Sequence, residues 1–392
     1  MRRFSRSALM ALMVLLLGMA LVLAGCGDGE EEQAQQQQAE EEEAAAAAAA
    51  ADNPWTNGED LSGSTVNVFG AFVDVDAENF NESMVPFEEQ TGIEVQYEGS
   101  GDFESLISVR TEGGDPPDIA AFPQPGLMYD MVDRGHILDV RDMVSEDKLS
   151  SNYNQSWRDM AMYGGIEAGV WYRASIKSLV WYPHPEFGEA GYEIPETWDE
   201  MLALSDQMVS DGETPWSIAM ESSGATGWVA TDWMEDIMLR TATPEQYDQW
   251  VAGELPFNSE EVKRAANIMA EIWFNSDYVL GGTNSILTVP FGDGVAPLEQ
   301  NPPRAWLHRQ ASFIVNFFSE ETTLGEDMRY FYLPPIDEEE GRPVLTAGDI
   351  FSPMTDTPET AAVMRYLSEG LSTKAWVEAD RKSTRLNSSH YS

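Results

Sequence analysis

The stretch FEEQTGIEVQYE (residues 87–98) shows where a helix ends and a strand begins. Upstream, in AENFNESMVPFEEQTG (77–92), Phe80, Met84 and Phe87 recur at helical spacing, and Gly92 is a helix stop. Immediately afterwards Ile93, Val95 and Tyr97 alternate with polar residues, the period of a half-buried strand. The same switch occurs on both sides. STVNVFGAF (64–72) is β-branched and alternating, hence a strand. DFESLISVRTEGG (102–114) is a helix opened by a capping-type Asp102 and closed by glycine. PDIAAF (117–122) is a short buried strand, and GLMYDMVDRGHIL (126–138) a helix stopped near Gly135. Strand and helix in strict alternation predict a parallel, doubly wound α/β sheet.

The pattern resumes further on. SLVWYP (178–183) predicts a strand, and TWDEMLALSDQMVSDG (197–212) a helix with a Thr197–Glu200 capping box. PWSIAM (215–220) predicts a strand. GWVATDWMEDIMLRT (227–241) and SEEVKRAANIMAEIWFN (259–275) predict helices, Ser259 being an N-cap. DMRYFYLPPI (327–336) and PVLTAGDIFSPM (343–354) predict strands. TPETAAVMRYLSEG (357–370) predicts a helix with Pro358 in its first turn.

The ends of the chain have other characters. Arg2, Arg3 and Arg6 precede an apolar run over 8–23, too short to span a membrane but suited to a signal-peptide core. Leu23-Ala24-Gly25-Cys26 resembles a bacterial lipobox, which implies cleavage before Cys26 and lipidation of its thiol; an ordinary secretory signal is the alternative. Residues 1–25 are expected to be a lipoprotein signal peptide, and 26–63 a lipidated, low-complexity acidic tether. Cys26 is the one cysteine, so the mature body is expected to contain no disulfide. Residues 380–392 change composition abruptly. Residues 380–390 resemble a translated sequencing adapter, so this tail is expected to be foreign to the fold.

The blocks FEEQTGIEVQYE and GGDPPDIAAFPQPGLMYDMVDRGHILDV (113–140) resemble the first lobe of extracellular solute-binding proteins of ABC importers, in the carbohydrate group that includes maltose-binding protein. GYEIPETWDEMLALSDQM (191–208) is similar to the opening helix of that family's second lobe. ATGWVATDWMEDIMLR (225–240), WLHRQASFI (306–314) and FYLPPID with PVLTAGDIF (331–337, 343–351) narrow the resemblance to its α-glucoside branch. The resemblance implies two doubly wound α/β lobes joined by a multi-segment hinge, periplasmic-binding-protein-like and of type II. Carried onto this chain, lobe one is 64–174 with 312–348, and lobe two is 178–308 with 352–379. Crossings are expected near 174–177, 309–311 and 347–351. The function implied is capture of a disaccharide or oligosaccharide between lobes that close about the hinge, on behalf of ABC permease subunits. The protein would be a lipid-anchored, extracytoplasmic monomer without a cofactor.

A sugar presents flat C–H faces and a rim of hydroxyls, so its site needs apolar platforms and matched polar groups. Loops at strand ends are where a doubly wound sheet holds ligands. There, Phe72 and Phe122 are candidate platforms, and Gln124 is a candidate hydroxyl partner or else part of a Pro-stiffened turn. Asp102 is a hydroxyl acceptor or a helix cap. In lobe two, Trp228, Thr231 and Asp232 open a helix behind a Gly-rich stretch; Asp232 is alternatively a first-turn acid favoured by the helix dipole. Arg309 and Gln310 lie at an expected crossing, and Arg309 is a sugar contact or half of a structural ion pair. Asp349 is its expected partner or a hydroxyl acceptor.

The chain carries 22 Lys and Arg against 68 Asp and Glu, a net charge of −46. That disfavours nucleic acid, whose phosphates need basic patches. No His-Glu-x-x-His, Gly-x-Ser-x-Gly or P-loop motif occurs, so an enzyme is not expected. A glycoside-acting enzyme remains a remote alternative, because a chance carboxylate pair is assured among so many acids. A polyamine or cationic peptide is the alternative ligand class that fits the charge, and a purely structural lipoprotein the last. Acid this dense reads as adaptation to salt, because counterions screen self-repulsion. The melting temperature is therefore expected to rise as NaCl is increased from low to molar concentration; equal stability without salt would overturn that reading.

Overall fold

The computed structural model describes residues 53–374 and 376. The leader, Cys26, most of the tether and the 380–392 tail lie outside the described residues. The chain divides into two units, Met1–Asp60 and Leu61–Ser392. In the first, Asn53 closes a turn by accepting from the Trp55 N–H at 2.9 Å. The second unit holds two lobes, each with its own core.

The first lobe is built as the alternation predicts. Strands β1 (Thr65–Gly70), β2 (Glu94–Gly99) and β3 (Ile119–Phe122) are parallel, with β1 between the other two. Helix α1 (Asp74–Thr91) links β1 to β2 and ends at Gly92, whose φ of 70° suits glycine. Helix α2 (Phe103–Glu112) links β2 to β3, and α3 (Pro125–Asp133) follows β3. Two short helices, α4 (Glu146–Asn152) and α5 (Gln155–Ala161), and a small hairpin, β4 (Met162–Tyr163) and β5 (Ile166–Glu167), precede β6 (Val170–Ile176). The final strand, β10 (Thr346–Pro353), enters between β3 and β6 and runs antiparallel to both. The sheet is therefore mixed, in the order β2-β1-β3-β10-β6. One of its faces carries an aromatic cluster: Phe80 stacks on Phe351 at 5.3 Å and meets Tyr97 and Tyr172. The other buries Phe69, Phe103, Phe122 and Met128.

In the second lobe the described strands β7 (Leu179–Pro183), β8 (His308–Arg309) and β9 (Met328–Tyr332) are antiparallel, with β7 central. Helices α6 (His184–Glu189), α7 (Trp198–Asp211), α8 (Trp228–Met238), α9 (Pro244–Val251) and α10 (Glu260–Trp273) surround a core that includes Trp216, Trp233 and Trp273. Thr197 accepts from the Glu200 N–H as the capping box requires, but the Glu200 carboxylate reaches the Glu196 N–H instead of returning to Thr197. The strand predicted over 215–220 is reduced to isolated parallel bridges at Trp216 and Glu221.

Three expectations about the lobes change. The chain passes from β6 of the first sheet to Leu179–Pro183 of the other around Lys177. The segment 309–311 instead leads into a 3₁₀ turn, Ser312–Phe317, in the seam between the lobes. There Ser312 Oγ accepts from the Ile176 N–H and Asn316 donates to Asp76. The chain then returns to the second lobe as β9, because β9 pairs with β7 along its whole length. The true second crossing runs from Leu333 to Leu345 beside the first: Lys177 N–H donates to Leu345 O at 2.8 Å, and Leu333 N–H to Ser178 O at 3.0 Å. Residues 347–351, expected to cross, lie inside β10. Those from 352 onward, expected in lobe two, belong to lobe one. Helix α11 (Pro358–Leu367) packs on β1, β6 and β10, and its Tyr366 hydroxyl donates to Ser83 O at 2.8 Å.

Phe80 is fully buried amid four rings of the first lobe. Replacing it with alanine is expected to cost about 3–5 kcal/mol of unfolding free energy, read from the urea midpoint.

Candidate functional site

Beneath the seam lies a set of buried charges that fixes the crossings. Asp236 on α8 accepts from Ser178 Oγ at 2.7 Å, Arg240 Nη1 at 2.5 Å and Arg309 Nη2 at 2.5 Å. Ser178 Oγ also accepts from the Leu345 N–H, so this hydroxyl touches both crossing segments. Arg240 donates onward to the carbonyls of Leu333, Pro334 and Pro343. Arg309, only 2% exposed, thus belongs to a structural ion pair through Nη2, while its Nε and Nη1 are buried without a hydrogen bond. Its neighbour Gln310 is fully buried, its Oε1 accepting from the Ala311 N–H and its Nε2 making no hydrogen bond. Asp232 is buried and accepts from Lys177 Nζ at 2.7 Å.

Asp349 does not pair with Arg309. The β10–β6 register sets it opposite Arg173, whose Nε donates to it at 2.8 Å. Arg173 Nη1 donates to Asp76, also at 2.8 Å, so two carboxylates share one guanidinium. Burial pushes the Asp349 carboxyl upward, against the pull of Arg173. The rings of Phe72, Trp376 and Phe313 lie 4.6, 4.8 and 5.6 Å from the guanidinium carbon. Phe313 and Asn316 come from the 3₁₀ turn of the seam, and Asn316 Nδ2 donates to Asp76 at 2.9 Å.

The predicted platforms of the first lobe are core. Phe72 is 4% exposed and packs against Phe80, Tyr97, Phe351 and Trp376. Phe122 is fully buried against Phe103. Gln124 is half-buried and caps α3, its Oε1 accepting from the N–H groups of Gly126 and Leu127. Gly70 keeps its lack of a side chain for an internal reason: a Cβ there would lie 2.8 Å from the Tyr97 hydroxyl.

The second lobe does present a platform. Trp228 is half-buried at the start of α8, with its ring against Phe291 at 5.3 Å and Phe313 at 5.9 Å. Its Nε1–H donates to Ser222 Oγ at 2.9 Å, and Lys177 Nζ lies 5.4 Å from its centroid. Thr231 is exposed on the same helix. Glu235, one turn further, is pushed up to about 7 by burial and by the Asp232 charge, which Lys177 and Arg309 oppose. Across from this loop, exposed Asp102 accepts from the Gly224 N–H at 2.7 Å. The seam therefore gathers Asp102, Trp228, Asp232 and Asp349. Residues that sequence reasoning missed are Asp76, Arg173, Lys177, Phe313 and Asn316. A signal existed for two of them: Arg173 and Lys177 are rare bases flanking an expected crossing in a strongly acidic chain. Such an arrangement can grip a neutral ligand with an aromatic face and with hydrogen-bonding charges that are already partnered inside the protein.

The family model described as bacterial extracellular solute-binding protein matches residues 63–375. The chain is 44% identical over 315 residues to the osmoprotective compounds-binding protein GgtB of Synechocystis sp., covering 80% of this chain and 74% of that one. It is 40% identical over 331 residues to the alpha-glucosides-binding periplasmic protein AglE of Rhizobium meliloti, covering 82% and 72%. Among solved structures, the bacterial solute receptor AcbH superposes with a TM-score of 0.68 at 19% identity, over 81% of this chain and 79% of that one, a likeness of fold. Two lobes, two adjacent crossings and a seam lined by paired charges and aromatic rings agree with these likenesses: the chain belongs to the bacterial extracellular solute-binding proteins.

Proposed function

We infer that this chain is the substrate-binding component of an ABC importer, and that its lobes close about the hinge on an α-glucoside-type sugar. The observation that carries this reading is the Trp228–Phe313 aromatic face opposite the Asp76–Arg173–Asp349 group. A ring face meets the sugar's C–H surface, while carboxylates and a guanidinium meet its hydroxyl rim. Because polar groups left unmatched in such a seam are costly, a ligand lacking one hydroxyl is rejected strongly. The name of AglE supports an α-glucoside; that of GgtB supports a second reading, a small osmoprotective compound.

The seam does not favour a polyamine. Asp76 and Asp349 share the single cation of Arg173, and Asp232 has Lys177, so this group keeps only one net negative charge, against the several positive charges of a polyamine. The non-enzyme reading follows the relatives, which are named as binding proteins. No helix among the described residues is long and apolar enough to cross a membrane. Membrane attachment on our reading comes from acyl chains on Cys26, several being needed for a firm hold, and the delivered ligand passes to permease subunits from a monomer.

In a thermal-shift panel, an α-glucoside such as maltose or trehalose is expected to raise the melting temperature, with about 2.7 kcal/mol of added stability at a hundredfold excess over Kd. Trp228→Ala should weaken that ligand roughly tenfold in calorimetry, the loss of one aromatic face. A shift with spermidine and none with sugars would overturn the sugar reading, and release of glucose from labelled maltose would overturn the non-enzyme one. Cys26→Ser is expected to move the protein from the membrane fraction to the soluble one on fractionation.

A further inference from the structure

Asp102 stands at the N-terminus of α2, where an aspartate ordinarily caps its own helix. Here it makes no side-chain cap hydrogen bond. Its Oδ1 reaches across the seam to the N–H of Gly224 instead, at 2.7 Å and 122 residues away in sequence. The backbone that carries Asp102 is tied down. Ser100 N–H donates to Gly70 O at 3.0 Å, and Asp102 N–H donates to Ser100 Oγ at 3.1 Å.

The opposing loop is shaped to receive it. Ser223 is held at φ 50°, a left-handed conformation rare for a residue with a side chain. Its N–H donates to Glu221 Oε1 at 2.8 Å. Thr226 Oγ1 accepts from the Ser222 N–H at 3.0 Å and donates to Ser223 O at 2.7 Å. The approach is close: a Cβ on Gly224 would sit 2.7 Å from Asp102 Oδ1, so a side chain there would force the carboxylate to shift. A Cβ on Gly101 would meet the Ser223 Cβ and Oγ at 3.5 Å, so the two loops lie within side-chain contact. The same loop holds the platform, because Ser222 Oγ accepts from the Trp228 indole.

We propose that Asp102 and the 222–224 loop form a latch that holds the two lobes shut. Asp102 is then a positioning residue: it touches the opposite lobe and sets the fraction of molecules in the closed, binding-competent state. This rests on the two-lobe capture reading above. A residue that acts only on that fraction changes the apparent affinity for every ligand by one factor. A residue that touches the ligand changes the ratio between ligands.

The geometry offers a direct assay. With Cys26 replaced by Ser, the pair Gly101→Cys and Ser223→Cys would place two Cβ atoms at the separation a disulfide needs. Oxidation is expected to give one intramolecular cross-link, formed more slowly when Asp102→Ala is added. Absence of that cross-link in a variant that melts like its parent would overturn the latch. In calorimetry, Asp102→Ala is expected to weaken maltose and trehalose by the same factor, roughly three- to tenfold. Asp102→Asn, which keeps an acceptor oxygen, should recover most of the loss. Unequal losses between the two sugars would make Asp102 a ligand contact and overturn its role as a latch. Should neither sugar bind, the sugar reading fails while the cross-link still reports on the latch.

Discussion

Three donors converge on one buried carboxylate, and the relation between the lobes rests on that convergence. Asp236 has no exposure and accepts from Ser178, Arg240 and Arg309. Ser178 lies at the first crossing, Arg240 grips the carbonyls at the start of the second, and Arg309 brings β8 alongside. A charge taken out of water is tolerable only when such partners replace its hydration. Removing one partner would strand the others, so the group acts as a unit. It pins α8 to the crossings, and α8 is the helix that begins with Trp228. The platform's position is thus set from beneath by ionic contacts that no ligand needs to touch.

The first lobe was legible where local chemistry speaks. Gly92 ends α1 in a left-handed conformation, Ser259 accepts from the Val262 N–H to start α10, and Pro358 opens α11. What escaped was allotment of segments to lobes. β9 looks like any strand of aromatic residues, and only its pairing with β7 assigns it to the second lobe. Likewise α11 carries apolar residues around most of its circumference, which says buried but not where. Residues 215–220 show why a strand pattern can fail to make a strand. Their buried side chains pack in the core while the backbone finds bridges only at its two ends.

The site was legible in part for the same reason. An arginine among so many acids was readable as an ion-pair member, and Arg309 is one, but its partner came from α8 and not from β10. Asp349 found Arg173 because antiparallel pairing placed them side by side. Phe72 follows the end of β1 and Phe122 ends β3, where ligand platforms sit, yet both rings are buried in aromatic packing. Asp102 kept a helix-start position and abandoned the helix-start bond. A contact made with a backbone N–H leaves no mark in the partner's side chain beyond a glycine.

The place of β10 in its sheet bears on how the molecule is made. The strand second from one edge of the first sheet is supplied by Thr346–Pro353, more than 220 residues beyond its neighbour β3 in sequence. Until it arrives, β6 has no neighbour joining it to β3, and Phe80 lacks the ring it stacks on. The first lobe's pairing is therefore non-local in sequence, which slows folding. A nascent polypeptide that has not yet reached β10 cannot finish the half it began with.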